Sequence, residues 1–161
     1  MAVLVGSPVP DVELRILEDG APKPVSSGEL LGSGKVVLFA VPGAFTPGCS
    51  NTHLPGFVQQ YEELRAKGVE KVVCVSVNDA WVMDAWKNAS EARDSAIVMA
   101  ADGNGEFAKA MGLEMDGSGF GLGARSQRYA AIIEDGTVSS LEVEPGGGID
   151  VSSCSSVLNR L

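Results

Sequence analysis

Cys49 is the residue around which the most chemistry is arranged. It stands in the run Pro42-Gly43-Ala44-Phe45-Thr46-Pro47-Gly48-Cys49-Ser50, directly behind an apolar stretch at 36–41. That stretch reads as a buried strand. Thr46 before Pro47 reads as an N-cap and first helical residue. Cys49 then falls at the third helical position, among backbone N–H groups without intrahelical partners. The helix terminus pushes a thiol there toward thiolate. An ordinary thiol titrates near ~8.5, and bringing it to ~6.5 takes about 2.7 kcal/mol. A helix end supplies only ~0.3–1 kcal/mol, so a second source of positive charge is needed. With 12 basic residues against 21 acidic ones, that source has to be local. Arg125 and Arg128 are the candidates, because Arg128 begins a strand able to run beside 36–41.

Other reactive groups are sparse. The chain has three cysteines, an odd number, and none is paired in a Cys-x-x-Cys, which argues against a disulfide scaffold. Cys74 lies in the apolar run 71–77, where a cysteine commonly serves as a small hydrophobe. Cys154 stands just before the last helix. His53 is the only histidine, so a zinc site lacks its usual ligands. Packing or a helix-terminal hydrogen bond suits His53 better than a role as base. The acids, Asp11 and Glu13 among them, form no metal-ligating pattern. Trp81 and Trp86 suit a core or an interface. The loop Gly117-Ser118-Gly119-Phe120-Gly121-Leu122-Gly123 lacks the lysine and the strand-to-helix setting of a phosphate cradle. It suits a backbone that wraps near a site.

These residues must be positioned by the elements around them. The spacing predicts strands over 12–16, 35–41, 71–77, 96–99, 128–133 and 138–143. Helices are predicted over 29–31, from 46, over 57–64, 80–87, 105–111 and 155–161. Pro55-Gly56 is expected to interrupt the helix that Cys49 begins, and Gly68 to close the next one. Asp19-Gly20 and Asp135-Gly136 read as turns, the second as a hairpin. Strands alternating with helices, followed by a hairpin and a final helix, make an α/β pattern. It fits a thioredoxin-like fold with insertions, a central mixed sheet flanked by helices, in one domain over 1–161. A hydrophobic content of 45% is ample for one core. No apolar run approaches the ~20 residues that span a bilayer, and the first residues lack the pattern of a secretory signal. A net charge of −9 argues against nucleic acid or an acidic membrane as partner.

Taken together, Pro42-Gly43-Ala44-Phe45-Thr46-Pro47-Gly48-Cys49-Ser50 and Thr52-His53-Leu54-Pro55-Gly56-Phe57 resemble the peroxiredoxins, specifically their type II or peroxiredoxin-five group. Val72-Val73-Cys74-Val75-Ser76-Val77-Asn78-Asp79, Gly121 to Tyr129 and Asn159-Arg160-Leu161 fit the same group, in its plant and algal form. The likeness covers essentially the whole chain, and the Pro-x-x-x-Thr-x-x-Cys core is its most specific part. The resemblance implies peroxiredoxin insertions in the thioredoxin-like fold and a thiol-dependent peroxidase needing no metal or organic cofactor. Hydrogen peroxide and small alkyl hydroperoxides are the implied substrates. Cys49 matches the peroxidatic cysteine, which becomes a sulfenic acid. Thr46 matches the hydroxyl that orients sulfur and peroxide, Pro42 the residue that shields the sulfenate, Arg128 the active-site arginine, and Arg125 a flanking position. Splitting an O–O bond needs donors aimed at both oxygens. The Thr46 hydroxyl, an arginine fork and the Gly48 and Cys49 N–H groups can supply them.

The sulfenic acid must then be returned to thiol. Cys74 matches the resolving cysteine of plant members. Cys154 lies near the position used in animal members, and glutathione or a glutaredoxin attacking directly is a third route. A disulfide needs Cα atoms ~4.4–6.8 Å apart, so bonding to Cys74 is expected to require local unwinding around Cys49, with Pro55-Gly56 as hinge. The resemblance further implies thioredoxin, or glutaredoxin with glutathione, as electron donor. It implies a homodimer, with Phe45 and 77–86 as candidates for the contact, and either the cytosol or an organelle such as the chloroplast, the latter if a transit peptide has been removed. A peroxide sensor or relay sharing the same residues is the alternative function.

Overall fold

The computed structural model describes residues 1–161. Its frame is a seven-stranded mixed sheet. In chain order the strands are β1 (Glu13–Glu18), β2 (Ala21–Ser26), β3 (Lys35–Ala40), β4 (Lys71–Ser76), β5 (Val98–Ala101), β8 (Tyr129–Glu134) and β9 (Thr137–Val143). They lie in the order β2-β1-β5-β4-β3-β8-β9. β6 (Glu114–Asp116) and β7 (Ala124–Ser126) pair separately as a small antiparallel ladder. The middle strands β3, β4 and β5 run parallel, and β8 runs antiparallel to β3.

Both faces of this sheet are covered, which is why β3, β4 and β8 are apolar at nearly every position. The alternation sorts their side chains. Val37, Phe39, Val72, Cys74, Ala130 and Ile132 face one core. Val36, Leu38, Val73, Val75, Tyr129 and Ile133 face the other. Helices α2 (Leu54–Gln59), α3 (Tyr61–Ala66), α4 (Ala80–Asn88) and α6 (Cys154–Arg160) pack on the first face. Helices α1 (Ser27–Leu31) and α5 (Glu106–Met111) pack on the second. None of these helices is long and apolar enough to cross a membrane.

Local structure departs from the spacing-based expectation in several places, and the helix expected over 57–64 is divided at Gln60 into α2 and α3. The strand expected at 96–99 begins later, at Val98, after a short 3-10 turn at Glu91–Asp94. Ala21-Pro22-Lys23-Pro24-Val25-Ser26 forms β2, closing a hairpin with β1 through Asp19 and Gly20, both at positive φ. Its prolines are tolerated because β2 is an edge strand with one side unpaired. Pro55-Gly56 does not interrupt the helix. Cys49–His53 forms a π-helical turn that runs straight into α2, with the Leu54 N–H donating to the Cys49 carbonyl. Proline has no N–H and crowds the carbonyl four residues back. Widening the preceding turn accommodates it without a break.

Candidate active site

The topology brings three separate segments to one end of the sheet. The loop 41–46 leaves β3 and turns into the helix that carries Cys49. Because Ala40 pairs with Tyr129, Arg128 stands beside the same end of β3. Because Tyr129 pairs with Val143, Glu144 leaves β9 opposite Arg128, and its N–H donates to the Arg128 carbonyl at 2.9 Å.

Cys49 is fully buried. Two donors reach its sulfur: the Thr46 hydroxyl at 2.8 Å and Arg128 Nη2 at 3.2 Å. Thr46 does not cap the helix through its side chain as the sequence suggests. Its hydroxyl lies 2.7 Å from the Gly43 carbonyl as well as beside the sulfur. A hydroxyl has one proton for two such neighbours. It donates to Gly43 while the sulfur holds a proton, and is free to donate to the sulfur once that proton is gone. The Gly48 and Cys49 N–H groups make no hydrogen bond within the chain and remain available as donors.

Two glycines make the close approach possible. A Cβ on Gly43 would sit 2.9 Å from Arg125 Nη1 and 3.1 Å from Thr46 Cγ2, and one on Gly48 would sit 3.3 Å from Arg128 Nη2. Arg125 does not reach the sulfur. Its guanidinium donates to the carbonyls of Leu122 and Pro42, tying the glycine-rich loop over the turn at Pro42. Pro42 and Arg128 line an open cleft of about 530 Å³, together with Met115, Gln127, Glu144 and Pro145. The conformation of the 41–46 loop is held by the Asn78 side-chain oxygen, which accepts from the Ala44 N–H and the Ser76 hydroxyl. Phe45 takes a left-handed conformation at φ 66° and projects outward, half exposed.

His53, expected from the sequence to pack or to make a helix-terminal hydrogen bond, also joins the site. It lies four residues after Cys49, on the same helical face. Its ring packs on Phe39 and Phe57, with centroids 5.0 and 5.6 Å away. Nδ1 lies 2.8 Å from Arg128 Nη1, and Nε2 lies 2.9 Å from the Ser152 carbonyl. Burial is the largest influence on its pKa. The Ser152 hydrogen bond and Glu144 work against it and Arg128 with it, leaving a value of about 4. The imidazole is therefore neutral at ordinary pH. Glu144 is pushed up by burial, but hydrogen bonds from Ser152 and Asp150, and the nearby His53, hold it below the usual carboxylate range.

The other two cysteines are buried thiols in the same apolar cluster as Cys49. Cys74 sits inside β4 between Phe39 and Met99 of the flanking strands, and burial pushes its thiol well up. Cys154 opens α6, and burial pushes its thiol up to about 12. Trp86 is buried, and its indole N–H donates to the Ser50 hydroxyl at 2.9 Å. Trp81 is half exposed.

The Redoxin family is matched over residues 4–158. Peroxiredoxin-2E-2, chloroplastic, of Oryza sativa subsp. japonica is 48% identical over 163 residues, covering 99% of this chain and 72% of that protein. Peroxiredoxin-2B of Arabidopsis thaliana is 42% identical over 160 residues, covering 99% of this chain and 98% of its own. The structure of reduced Prx3 from Vibrio vulnificus in complex with hydrogen peroxide superposes with a TM-score of 0.92 at 47% identity, covering 98% of this chain and 95% of that one. With a sequence match along nearly its full length and a matching fold, the chain belongs to the peroxiredoxins, thiol-dependent peroxidases, and within them to the type II group.

Proposed function

We propose that Cys49 is the peroxidatic nucleophile and that hydrogen peroxide and small alkyl hydroperoxides reach it from the cleft beside Pro42 and Arg128. The observation that carries this reading is a fully buried sulfur with an arginine and a hydroxyl donor both within hydrogen-bond reach. The Cys49 thiolate attacks the nearer peroxide oxygen. An S–O bond forms, the O–O bond breaks, and its electron pair leaves with the far oxygen, which takes up a proton and departs as water or alcohol. Cys49 is oxidised to sulfenic acid. The Arg128 fork, the Thr46 hydroxyl and the free Gly48 and Cys49 N–H groups stabilise the charge passing between the oxygens. Pro42 covers the pocket and shields the sulfenate.

Resolution follows by attack of a second thiol on the sulfenic sulfur, forming a disulfide and releasing water. Cys74, or an external thiol, supplies it. Backbone pairing on both sides holds Cys74 in place, so Cys49 is the partner that moves, by unwinding of its π-turn. Thioredoxin, or glutaredoxin with glutathione, returns the disulfide to thiols. A homodimer through the exposed Phe45 and Trp81, and residence in the cytosol or in an organelle such as the chloroplast, complete the proposal.

The test is peroxide consumption with mass analysis of the oxidised protein, in wild type and in Cys49→Ser, Cys74→Ser and Cys154→Ser. Cys49→Ser is expected to be inactive; consumption at the wild-type rate would overturn the assignment. Loss of the internal disulfide in Cys74→Ser alone identifies Cys74 as resolver. Its loss in Cys154→Ser alone replaces Cys74 with Cys154. A one-oxygen or thiol adduct in every form that keeps Cys49, with no internal bond, assigns the step to an external thiol.

A further inference from the structure

We infer that Glu144 is a positioning residue for Arg128, acting through the 150–152 turn and the His53 ring. The inference rests on the peroxidase reading above. Three donors converge on one oxygen of the Glu144 carboxylate: the Asp150 N–H at 2.7 Å, the Ser152 N–H at 2.8 Å and the Ser152 hydroxyl at 2.6 Å. They close the segment 145–149, which carries three consecutive glycines and has little stiffness of its own. The closure aims the Ser152 carbonyl at His53.

A carbonyl only accepts, so His53 Nε2 must carry the ring proton. Nδ1 is then a bare lone pair, and it faces Arg128 Nη1 at 2.8 Å. A guanidinium only donates, so this is the tautomer that can hold it. With Nη1 held there, Nη2 of the same rigid fork lies 3.2 Å from the Cys49 sulfur. The opposite tautomer would set N–H against N–H and push the fork away. Glu144 thus fixes the direction of a hydrogen-bond chain that ends on the reacting sulfur. It holds the arginine a second time through its own N–H on the Arg128 carbonyl. The segment it closes also lies against the active-site turn, with Ile149 Cδ1 3.5 Å from where a Cβ on Gly48 would be.

His53 is the only histidine in the chain, so the intact protein shows a single imidazole in a nitrogen-15 spectrum. Wild type is expected to show the Nε2–H tautomer alone. Glu144→Ala is expected to show both tautomers. It should also slow Cys49 oxidation by hydrogen peroxide about tenfold, the worth of one hydrogen bond to the reacting centre. In an Arg128→Ala background the Glu144 change should slow oxidation no further, an outcome that a general loosening of the fold does not produce. A folded Glu144→Ala protein with one tautomer and the wild-type rate overturns the inference, as does an equal slowing in the Arg128→Ala background. If Glu144→Ala does not fold, the isosteric Glu144→Gln carries the same test, with about threefold slowing expected because neutral acceptors bond about half as strongly; a wild-type rate there overturns it too. Failure of the peroxidase reading is separate, since Cys49 of the wild type would then not oxidise at all.

Discussion

Replacing His53 tests whether its ring is buried neutral, and the size of the effect follows from the structure. The imidazole lies between Phe39, Phe57 and Arg128, and its pKa is lowered to about 4, mainly by burial. In the unfolded chain it returns to ~6.5. Between those two values the unfolded chain binds a proton that the native protein refuses, so stability falls as the pH drops through 6.5 and continues to fall toward 4. Integrated from pH 7 to pH 5, the loss is about 2 kcal/mol, at ~1.36 kcal/mol per pH unit.

Other groups contribute little of this sign in that window. The carboxyls of Asp11, Asp116 and Glu144 are lowered, so their losses come at more acid pH. Asp102 is raised by burial and acts in the opposite sense. His53→Gln cancels Asp102 from the comparison. Its amide oxygen can still accept from Arg128 and its NH₂ can donate to the Ser152 carbonyl. The assay is urea unfolding of the reduced protein at pH 7 and pH 5, followed by far-ultraviolet circular dichroism. Wild type is expected to lose about 2 kcal/mol more than His53→Gln between the two. Equal losses would refute the neutral, buried assignment and the hydrogen-bond direction drawn from it.

Two further outcomes follow from the same geometry. Thr46→Val keeps the shape of the side chain but removes the hydroxyl 2.8 Å from the sulfur. A hydrogen bond to a charged group is worth ~1.5–3 kcal/mol, so Cys49 oxidation measured by stopped flow should slow roughly 10- to 150-fold; a change below threefold removes Thr46 from the transition state. Unwinding of the π-turn breaks the 2.9 Å bond between Trp86 and Ser50. Oxidation to an internal disulfide should therefore shift the emission of Trp86, read in Trp81→Phe, and Ser50→Ala should shift it beforehand. An unchanged spectrum on full oxidation would mean that the turn stays closed.

How far the fold was legible depended on how evenly each segment was buried. β3, β4 and β8 stood out because both their faces are covered, so their apolar runs are unbroken. β2 did not, because Pro22 and Pro24 argue against a strand unless one knows it lies on an edge. β6 and β7 flank the glycine-rich loop and are each only three residues long, too short to show a period. The π-turn was taken for a break, since Pro55-Gly56 carries a breaker signal whether the helix stops or only widens. At the site, Thr46 and Cys49 were close in sequence, and their meeting was local geometry. Arg128 was reachable by reasoning because β8 was expected beside β3. His53 had one usable signal, its spacing of four from Cys49 on a helix. Ser152 and Glu144 had none. Their relation to His53 exists only after β9 is paired and the chain turns back into α6.

The three thiols share one apolar cluster, yet only Cys49 has polar donors brought to it through that cluster. Burial alone makes a thiol inert, as at Cys74 and Cys154, where it pushes the pKa up. What distinguishes Cys49 is therefore not exposure, since all three are buried. It is the arginine and hydroxyl held against its sulfur and the absence of side chains at Gly43 and Gly48 that would keep them away. The same enclosure creates a second requirement. On the proposed role of Cys49, a sulfenic acid formed on this buried sulfur meets a second thiol only if the turn that carries it is easier to open than the strands beneath it. A π-helical turn before a proline meets that condition. Its widened ring is less favourable than α-helix, and Pro55 contributes no N–H to hold it closed. On that proposal, tight placement of the sulfur and release of its oxidised form are both set by the same five residues, Cys49–His53.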